Sequence, residues 1–428
     1  LMGMMRVIVD EGLHDPEFIE SRCENFEEFR LSLAQYDDAT VEAKTGVPFA
    51  QIAEAARMYA ERSPASILYA MGITQHTHGT DNVLAISNLA LLTGNVGHPS
   101  AGVNPLRGQS NVQGACDMGA LPNVYPGYQK VDVPEVRSKF EQAWGAELDA
   151  TPGLTHLEIL GGVTAGRIKA IYLVGENPAL SEADATHARE AMEQVDFLVV
   201  QDIFLTETAE YADVVLPACT FAEKDGTFTN TERRVQRVRK AIEPIGDSRD
   251  DGWITCEIAR RMGAEGFAFD SAAEVMDEIM ALTPIYGGIA YDRLDSGGLQ
   301  WPCPDTSHPG TRHLHAERFP RPSGRGRFFP LEYRPPAEEA DAAYPLLLTT
   351  ERSLYHYHTA TMTRRVGGLE QLDSEELLKI NPVDAEKLGI ATAERVRVSS
   401  RRGTLEVKTD ITDICPPGLV SMTFHLSL

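Results

Sequence analysis

The chain has 428 residues, 43% apolar and 24% charged, a globular composition in a length too great for one core. Its formal net charge of −24 excludes a general nucleic-acid-binding face, yet a few arginines in a cleft can still hold a small anion. Six cysteines (Cys23, Cys116, Cys219, Cys256, Cys303, Cys415) lie far apart with no C-x-x-C pair, so buried thiols are expected rather than a zinc or iron–sulfur site.

No apolar run is long enough for a transmembrane helix. The first six residues lack the zones of a signal peptide, and residues 7–12 read as the interior of a helix, so the chain is expected to have lost its true start. Residues 51–62 (QIAEAARMYAER) place Ile52, Ala55, Ala56 and Tyr59 on one helical face. Residues 66–72 read as a buried strand ending in Gly72. A second helix is expected from about Asp81, its candidate N-cap, to Leu92, stopping at Gly94-Asn95. Residues 95–130 are rich in Gly, Pro, Asn and Gln. Val103, Val112 and Leu121, spaced through them, predict an ordered, buried loop.

The clearest α/β pattern follows. Residues 168–174 form a strand ending at the turn 175–178, and Ser181 and Glu182 open a helix to about Glu193. A strand over 197–200 ends at Gln201-Asp202, and a third spans 213–217 after a short helix. Apolar strands alternating with helices predict a parallel sheet covered on both faces. Ligands on such sheets bind beyond the carboxyl ends of the strands, here at 175–177 and 201–202, side by side. Residues 221–340 are mixed, with a helix near 253–262. The charges Arg233, Arg234, Arg237, Arg239 and Lys240 read as a solvated face, and 337–344 as a linker. Beyond it, strands over 346–350, 396–399, 405–408 and 418–423 with one helix over 382–388 predict a small β-barrel. The fold class is therefore multidomain α/β: parallel-sheet α/β domains plus a C-terminal β-barrel domain.

Residues 104–119 (NPLRGQSNVQGACDMG) closely resemble a loop of the formate dehydrogenase branch of the molybdopterin oxidoreductases. So do residues 71–75 (MGITQ), 91–95 (LLTGN), 122–128 (PNVYPGY), 175–178 (GENP), 201–204 (QDIF), 212–217 (ADVVLP) and 352–358 (RSLYHYH). These blocks occur in the family's order across nearly the whole chain. The resemblance implies a catalytic subunit incomplete at both ends. Residues 1–109 would be the C-terminal half of one α/β pterin-binding domain and 110–221 a second such domain. Residues 222–340 would be a connecting region of helices and loops, and 341–428 a truncated, double-psi-like barrel. It further implies molybdenum or tungsten held by bis-molybdopterin guanine dinucleotide, oxidation of formate to carbon dioxide or the reverse, and electron-transfer partner subunits. The family's Fe4S4 cluster and its metal-ligating cysteine or selenocysteine belong to an N-terminal part that no segment here matches. No metal ligand is thus expected from these residues, and the chain alone is expected to be inactive. The expected compartment is the cytoplasm, with the periplasm as the alternative.

Residue by residue, Arg107 matches the family's substrate-orienting arginine, and a guanidinium fork suits a carboxylate; read alone, outside this loop, it would be taken first for a surface or structural salt bridge. Gly108, Gln109 and Gln75 match positions where the chain passes close to metal and pterin. Asn177, Ser181, Gln201, Asp202 and, before Trp253, Asp251 match contacts to one dinucleotide. Asn177 and Ser181 fit phosphate binding at a helix start, and fit simple capping as well. Thr350, Arg352, His356 and His358 match a barrel loop closing over the second dinucleotide. An extended His356-Tyr357-His358 would put both imidazoles on one side, but no third ligand makes a metal site there. The run 230–236 (NTERRVQ) has Arg233 where the family has glycine, so no role is carried over. Two alternatives stand beside this reading: a related oxidoreductase acting on another substrate such as nitrate, and a non-catalytic scaffold. A nicotinamide dehydrogenase is excluded, since no G-x-G-x-x-G follows a strand.

Overall fold

A computed structural model of the chain describes residues 1–424. They divide into two units. Leu1–Gly153, Lys224–Lys240 and Cys256–Ala337 form the first; Leu154–Glu223, Ala241–Thr255 and the chain from Glu338 onward form the second. No helix among the described residues is long and apolar enough to cross a membrane.

In the first unit, helix Met2–Asp10 buries Met5 and Ile8 in a core shared with helices Phe49–Glu61 and Gly79–Leu92. The Phe49–Glu61 helix buries Ala53 and Ala56 and half-buries Ile52 and Tyr59, while Ala55 is exposed. The core-facing stripe is therefore turned by one position from the expected one. Helix Gly79–Leu92 starts before Asp81, which does not cap it but pairs with Arg334. Inside it, the fully buried Asn88 donates to the Phe329 carbonyl at 2.8 Å and accepts from the Phe329 N–H at 3.1 Å.

Strand Ser66–Tyr69 runs parallel to Gly102–Pro105, with Ile67 opposite Val103. The expected burial is not found: Leu68 is 64% exposed, because this two-stranded ribbon meets the core only through the Ile67 row. Residues 95–130 are ordered, as expected, around that second strand, helix Val112–Asp117 and the antiparallel pair Val124–Tyr125 and Gln129–Lys130. Leu121 is exposed, while Val103 and Val112 are half-buried. Strands Gly226–Thr229, Arg234–Val238 and Leu299–Gln300 form an antiparallel sheet over a second core of Val235, Tyr286, Ile289 and Cys303.

In the second unit, Ala170–Val174, Phe197–Asp202 and Val214–Pro217 make the expected parallel sheet in sequence order. Leu198 and Val200 are fully buried against helices His156–Thr164 and Ala185–Gln194. The other row is open, with Tyr172 44% and Val174 48% exposed, so among the described residues helices cover one face and not two. The crossover helix does not open at Ser181. Pro178–Ser181 is a separate turn, Glu182 is extended, and Asp184 caps the helix by accepting from the His187 N–H at 3.1 Å.

The chain from residue 338 builds a mixed sheet of Leu347–Glu351, Leu419–Thr423, Leu377–Ile380, Thr404–Ile411 and Arg395–Ser399 in that spatial order. Helix Pro382–Leu388 lies where the sequence placed it. Strand Leu377–Ile380 is an addition to the predicted set. The outer strands Leu347–Glu351 and Arg395–Ser399 are not paired with each other among the described residues.

The Asn88 clamp gives a first prediction. Asn88→Leu keeps the volume but strands a backbone donor and acceptor in the core, so chemical denaturation should show a loss of about 2–4 kcal/mol. A loss within experimental error would show that the clamp contributes nothing.

Candidate functional site

The parallel ribbon of the first unit ends in two loops. One carries Gln75, which closes the four-residue helix Met71–Thr74 and is exposed; the other carries Arg107, Gly108 and Gln109, all exposed. The ribbon continues one bond further, from the Leu106 N–H to the Tyr69 carbonyl at 2.8 Å, which fixes where the second loop departs. Arg107 is then held twice. Its backbone N–H donates to Thr231 Oγ1 and its Nε to Gln113 Oε1, each at 3.2 Å. No carboxylate pairs with it among the described residues. A Cβ added to Gly108 would meet nothing within 4 Å, so nothing crowds the chain on that side.

Arg107 lines a cavity of about 710 Å³ within the first unit. Arg233, Arg312, Arg321 and Arg327 share that lining, and Glu232 is its single carboxylate, already paired with Arg234. The positive field is felt by a neighbour: burial, then the charges of Arg233 and Arg22, hold His315 below the usual histidine range. Arg233 is not part of a solvated face, as the sequence suggested. It is half-buried, with its guanidinium donating to the carbonyls of Trp301, Thr311 and Arg312, and it takes a φ of 66°, where glycine is favoured.

Behind Arg107 lies an interaction that the sequence did not disclose. Asp117 is fully buried, and four groups donate to it. Gln113 Nε2 and Tyr128 OH reach Oδ1 at 2.7 and 2.8 Å, and Tyr286 OH and Trp301 Nε1 reach Oδ2, both at 2.7 Å. Burial and then Asp117 itself push both phenols upward, so they stay protonated and serve as donors.

In the second unit, Asn177, Ser181, Gln201, Asp202 and Asp251 gather at the carboxyl end of the parallel sheet, with Val174 opposite Gln201 as expected. Asn177 is buried and fully engaged. It accepts from the Thr208 N–H and hydroxyl and donates to Glu207 at 2.8 Å and to Thr361 at 3.3 Å. Its side chain braces the turn against Thr208 and Thr361 and makes no cap bond to the short helix it precedes. Ser181 closes that turn through a bond from its N–H to the Asn177 carbonyl. Gln201 is buried, accepts from Tyr172 OH and donates to Asp251 at 2.6 Å. Asp202 accepts from the N–H groups of Ile203 and Phe204, yet burial, and Asp251 beside it, raise it above the usual carboxylate range. Glu176 is raised as well, by burial, Glu182 and Asp202. A counter-charge the sequence reading missed is Arg365, 4.6 Å from the centre of the Phe204 ring, which draws Asp202 back down. The signal was there in the Thr363-Arg364-Arg365 run, which follows the matched His356 block.

The histidine pair does not face one way. His356 is buried, with Nδ1 3.1 Å from Thr363 Oγ1 and Nε2 2.5 Å from the Asp373 carbonyl, and it braces the loop. His358 breaks the extension with a φ of 52° and meets the Phe424 ring, over which Arg352 also lies at 3.9 Å. Burial and then Arg352 hold His358 below the usual range, so its imidazole is neutral and can accept. Thr350 is exposed in its strand. Among the described residues no group of three or more His, Cys, Asp or Glu is placed to hold a metal ion.

Asp202 sets a second prediction. Its folded-state pKa lies above the unfolded one, so the native chain binds the extra proton. The stability it contributes is present at low pH and is lost as pH rises from the ordinary carboxylate range through the raised value. Asp202→Asn keeps the acceptor for the two N–H groups and carries no charge. At neutral pH it should be more stable than the parent in chemical denaturation, with the difference closing below about pH 4. A variant no more stable at pH 7 would contradict the burial argument.

The family profile described as Molybdopterin oxidoreductase matches residues 1–261, and that described as Molydopterin dinucleotide binding domain matches residues 346–428. A formate dehydrogenase alpha subunit of Methanococcus maripaludis is 49% identical over 422 residues, 98% of this chain and 62% of that protein. Formate dehydrogenase H of Escherichia coli is 42% identical over 430 residues, 99% of this chain and 60% of that protein. The chain thus spans about three fifths of the length of these curated relatives. Among solved structures, acetylene hydratase from Pelobacter acetylenicus shares the fold, with a TM-score of 0.75 at 20% identity over 99% of this chain and 62% of the other. With one profile covering more than half its length and a second covering its last domain, the chain belongs to the molybdopterin oxidoreductase family.

Proposed function

We propose that this chain is the cofactor-holding part of a formate dehydrogenase catalytic subunit, and that Arg107 holds the substrate carboxylate. The observation that carries the proposal is a guanidinium anchored at Nε by Gln113, unpaired with any carboxylate among the described residues, in a cavity with four further arginines. In a chain of net charge −24 such a cavity focuses a positive potential on a small anion, which the protein's total charge would otherwise repel. The relatives' names supply the substrate: both carry formate in them. A bidentate fork would hold both formate oxygens and aim the C–H bond away from the arginine. Oxidation of formate then yields carbon dioxide, one proton and two electrons.

The residues present fit a pterin dinucleotide of molybdenum or tungsten, and when bound that group would supply the two-electron acceptor. The exposed amides of Gln75 and Gln109 offer donors and acceptors to a pterin edge, and Gly108 between Arg107 and Gln109 adds no side chain to crowd it. The raised carboxyls at Asp202 and Glu176 suit the N–H-rich edge of guanine better than a phosphate, since added negative charge would raise them further. Thr350, Arg352 and His358 would meet the second dinucleotide, with Arg352 the natural partner of its phosphates. Asn177, Gln201 and His356 would act by holding their loops. The Fe4S4 cluster, the metal ligand and the electron-transfer subunits would come from beyond these residues.

The test uses the complete, cofactor-loaded subunit. Arg107→Lys keeps the charge and loses the fork, so kcat/KM for formate should fall about 100-fold or more while metal and pterin content stay unchanged. A variant within about twofold of the parent in that ratio would sink the assignment.

A further inference from the structure

Gln113 joins Arg107 to the buried carboxylate of Asp117, and its amide has only one orientation that works. On the inner side, Asp117 Oδ1 accepts at 2.7 Å. The Tyr128 oxygen also accepts there, at 2.9 Å, because its own proton goes to Asp117. Both inner neighbours demand the Nε2 donor. Oε1 must therefore face outward, where it meets Arg107 Nε at 3.2 Å. A turned amide would present N–H groups to the guanidinium and an oxygen to the carboxylate, which is unfavourable at both ends.

We propose that Asp117 and Gln113 are positioning residues for Arg107. The carboxylate orders the amide, and the amide oxygen tethers the guanidinium at Nε. That leaves both Nη groups, unpartnered among the described residues, as the fork for an anionic substrate. The tether removes rotamer freedom before substrate arrives, so less is lost on binding. Two features keep the relay rigid. Gln113 and Asp117 stand four residues apart on one face of helix Val112–Asp117, and both are buried, so the bond between them is shielded from water. The inference rests on the assignment of Arg107 to formate and adds what aims it.

Three variants of the complete, cofactor-loaded subunit test this. Gln113→Met keeps the packing volume and leaves Asp117 its other three donors, but removes the tether. Asp117→Asn replaces one acceptor oxygen by a donor and frees the Gln113 amide to turn. Each should raise the formate KM about 10-fold, the effect of one hydrogen bond to a charged group, with kcat changed by less than about threefold. Each should also shrink the rise in melting temperature that formate gives the enzyme under non-turnover conditions, a readout that loss of stability alone would not move. Arg107→Ala separates the two ideas. If it leaves the formate KM at the parent value, the assignment of Arg107 fails. If it raises KM while Gln113→Met and Asp117→Asn do not, the relay fails and the assignment stands. Should Asp117→Asn not fold, the Gln113→Met result decides alone.

Discussion

A carboxylate sealed from water must be satisfied by the protein or it destabilises the fold by several kcal/mol. Asp117 solves this with four donors from four parts of the first unit: its own helix, the loop at Tyr128, the turn at Tyr286 and the strand end at Trp301. Those partners converge only if the segments around them are folded, so one side chain makes the site loop and the later antiparallel sheet conditional on each other. The coupling spreads one step further. Tyr286 lies 3.3 Å from Thr229 Oγ1, and the Thr229 N–H donates to Asn111, the residue that precedes the Asp117 helix. The loop that presents Arg107 is thereby closed from both sides, which explains how an exposed stretch rich in Gly and Gln holds an orientation.

Charge is distributed with a purpose that the total of −24 hides. The first unit concentrates guanidinium groups around one cavity, where a carboxylate substrate would be received. The second concentrates carboxyls at the ends of its parallel strands, raised by burial and by each other. The second arrangement does not favour the fold by itself, since a raised carboxyl reports that its charged form is under-solvated. Such local conflict is characteristic of residues kept for a ligand rather than for stability.

Much of this was legible in the sequence because its signals were local. Helix Pro382–Leu388, the parallel triplet from residue 170 to 217 and the hairpin of the last domain follow from apolar periodicity and turn residues. Motif order placed Arg107 and the strand-end residues. What escaped were distant partnerships. Gln113 and Asp117 stand within the matched loop, but Tyr286 and Trp301 lie 169 and 184 residues further along, and nothing near Asp117 announces them. Asn177 was readable as a turn residue, whereas its bonds to Thr208 and Thr361 were not. The exposed face of Tyr172 and Val174 misled for a related reason, since an apolar strand reads as covered on both faces whatever packs against it.

Arg233 shows how the same network accounts for a residue that looks out of place. A left-handed arginine costs about 1–2 kcal/mol relative to glycine, and the family's glycine would remove that strain. Here the side chain returns more than the backbone loses, through charge-assisted bonds to three carbonyls, one of them on Trp301. The guanidinium also lies 5.3 Å from the centre of the Trp301 ring, on the residue whose indole donates to Asp117; burial lowers the arginine's pKa, and the charges of Glu232 and then Asp117 oppose that shift. Arg233 and Arg107 are thus two cations of one cavity lining, each connected to the same buried carboxylate through a single neutral side chain, Trp301 for one and Gln113 for the other. A direct ion pair would have neutralised either arginine. The intervening amide lets Asp117 orient Arg107 while leaving its Nη groups to an anion, whereas Arg233 commits both of its Nη groups to carbonyls and so braces the lining.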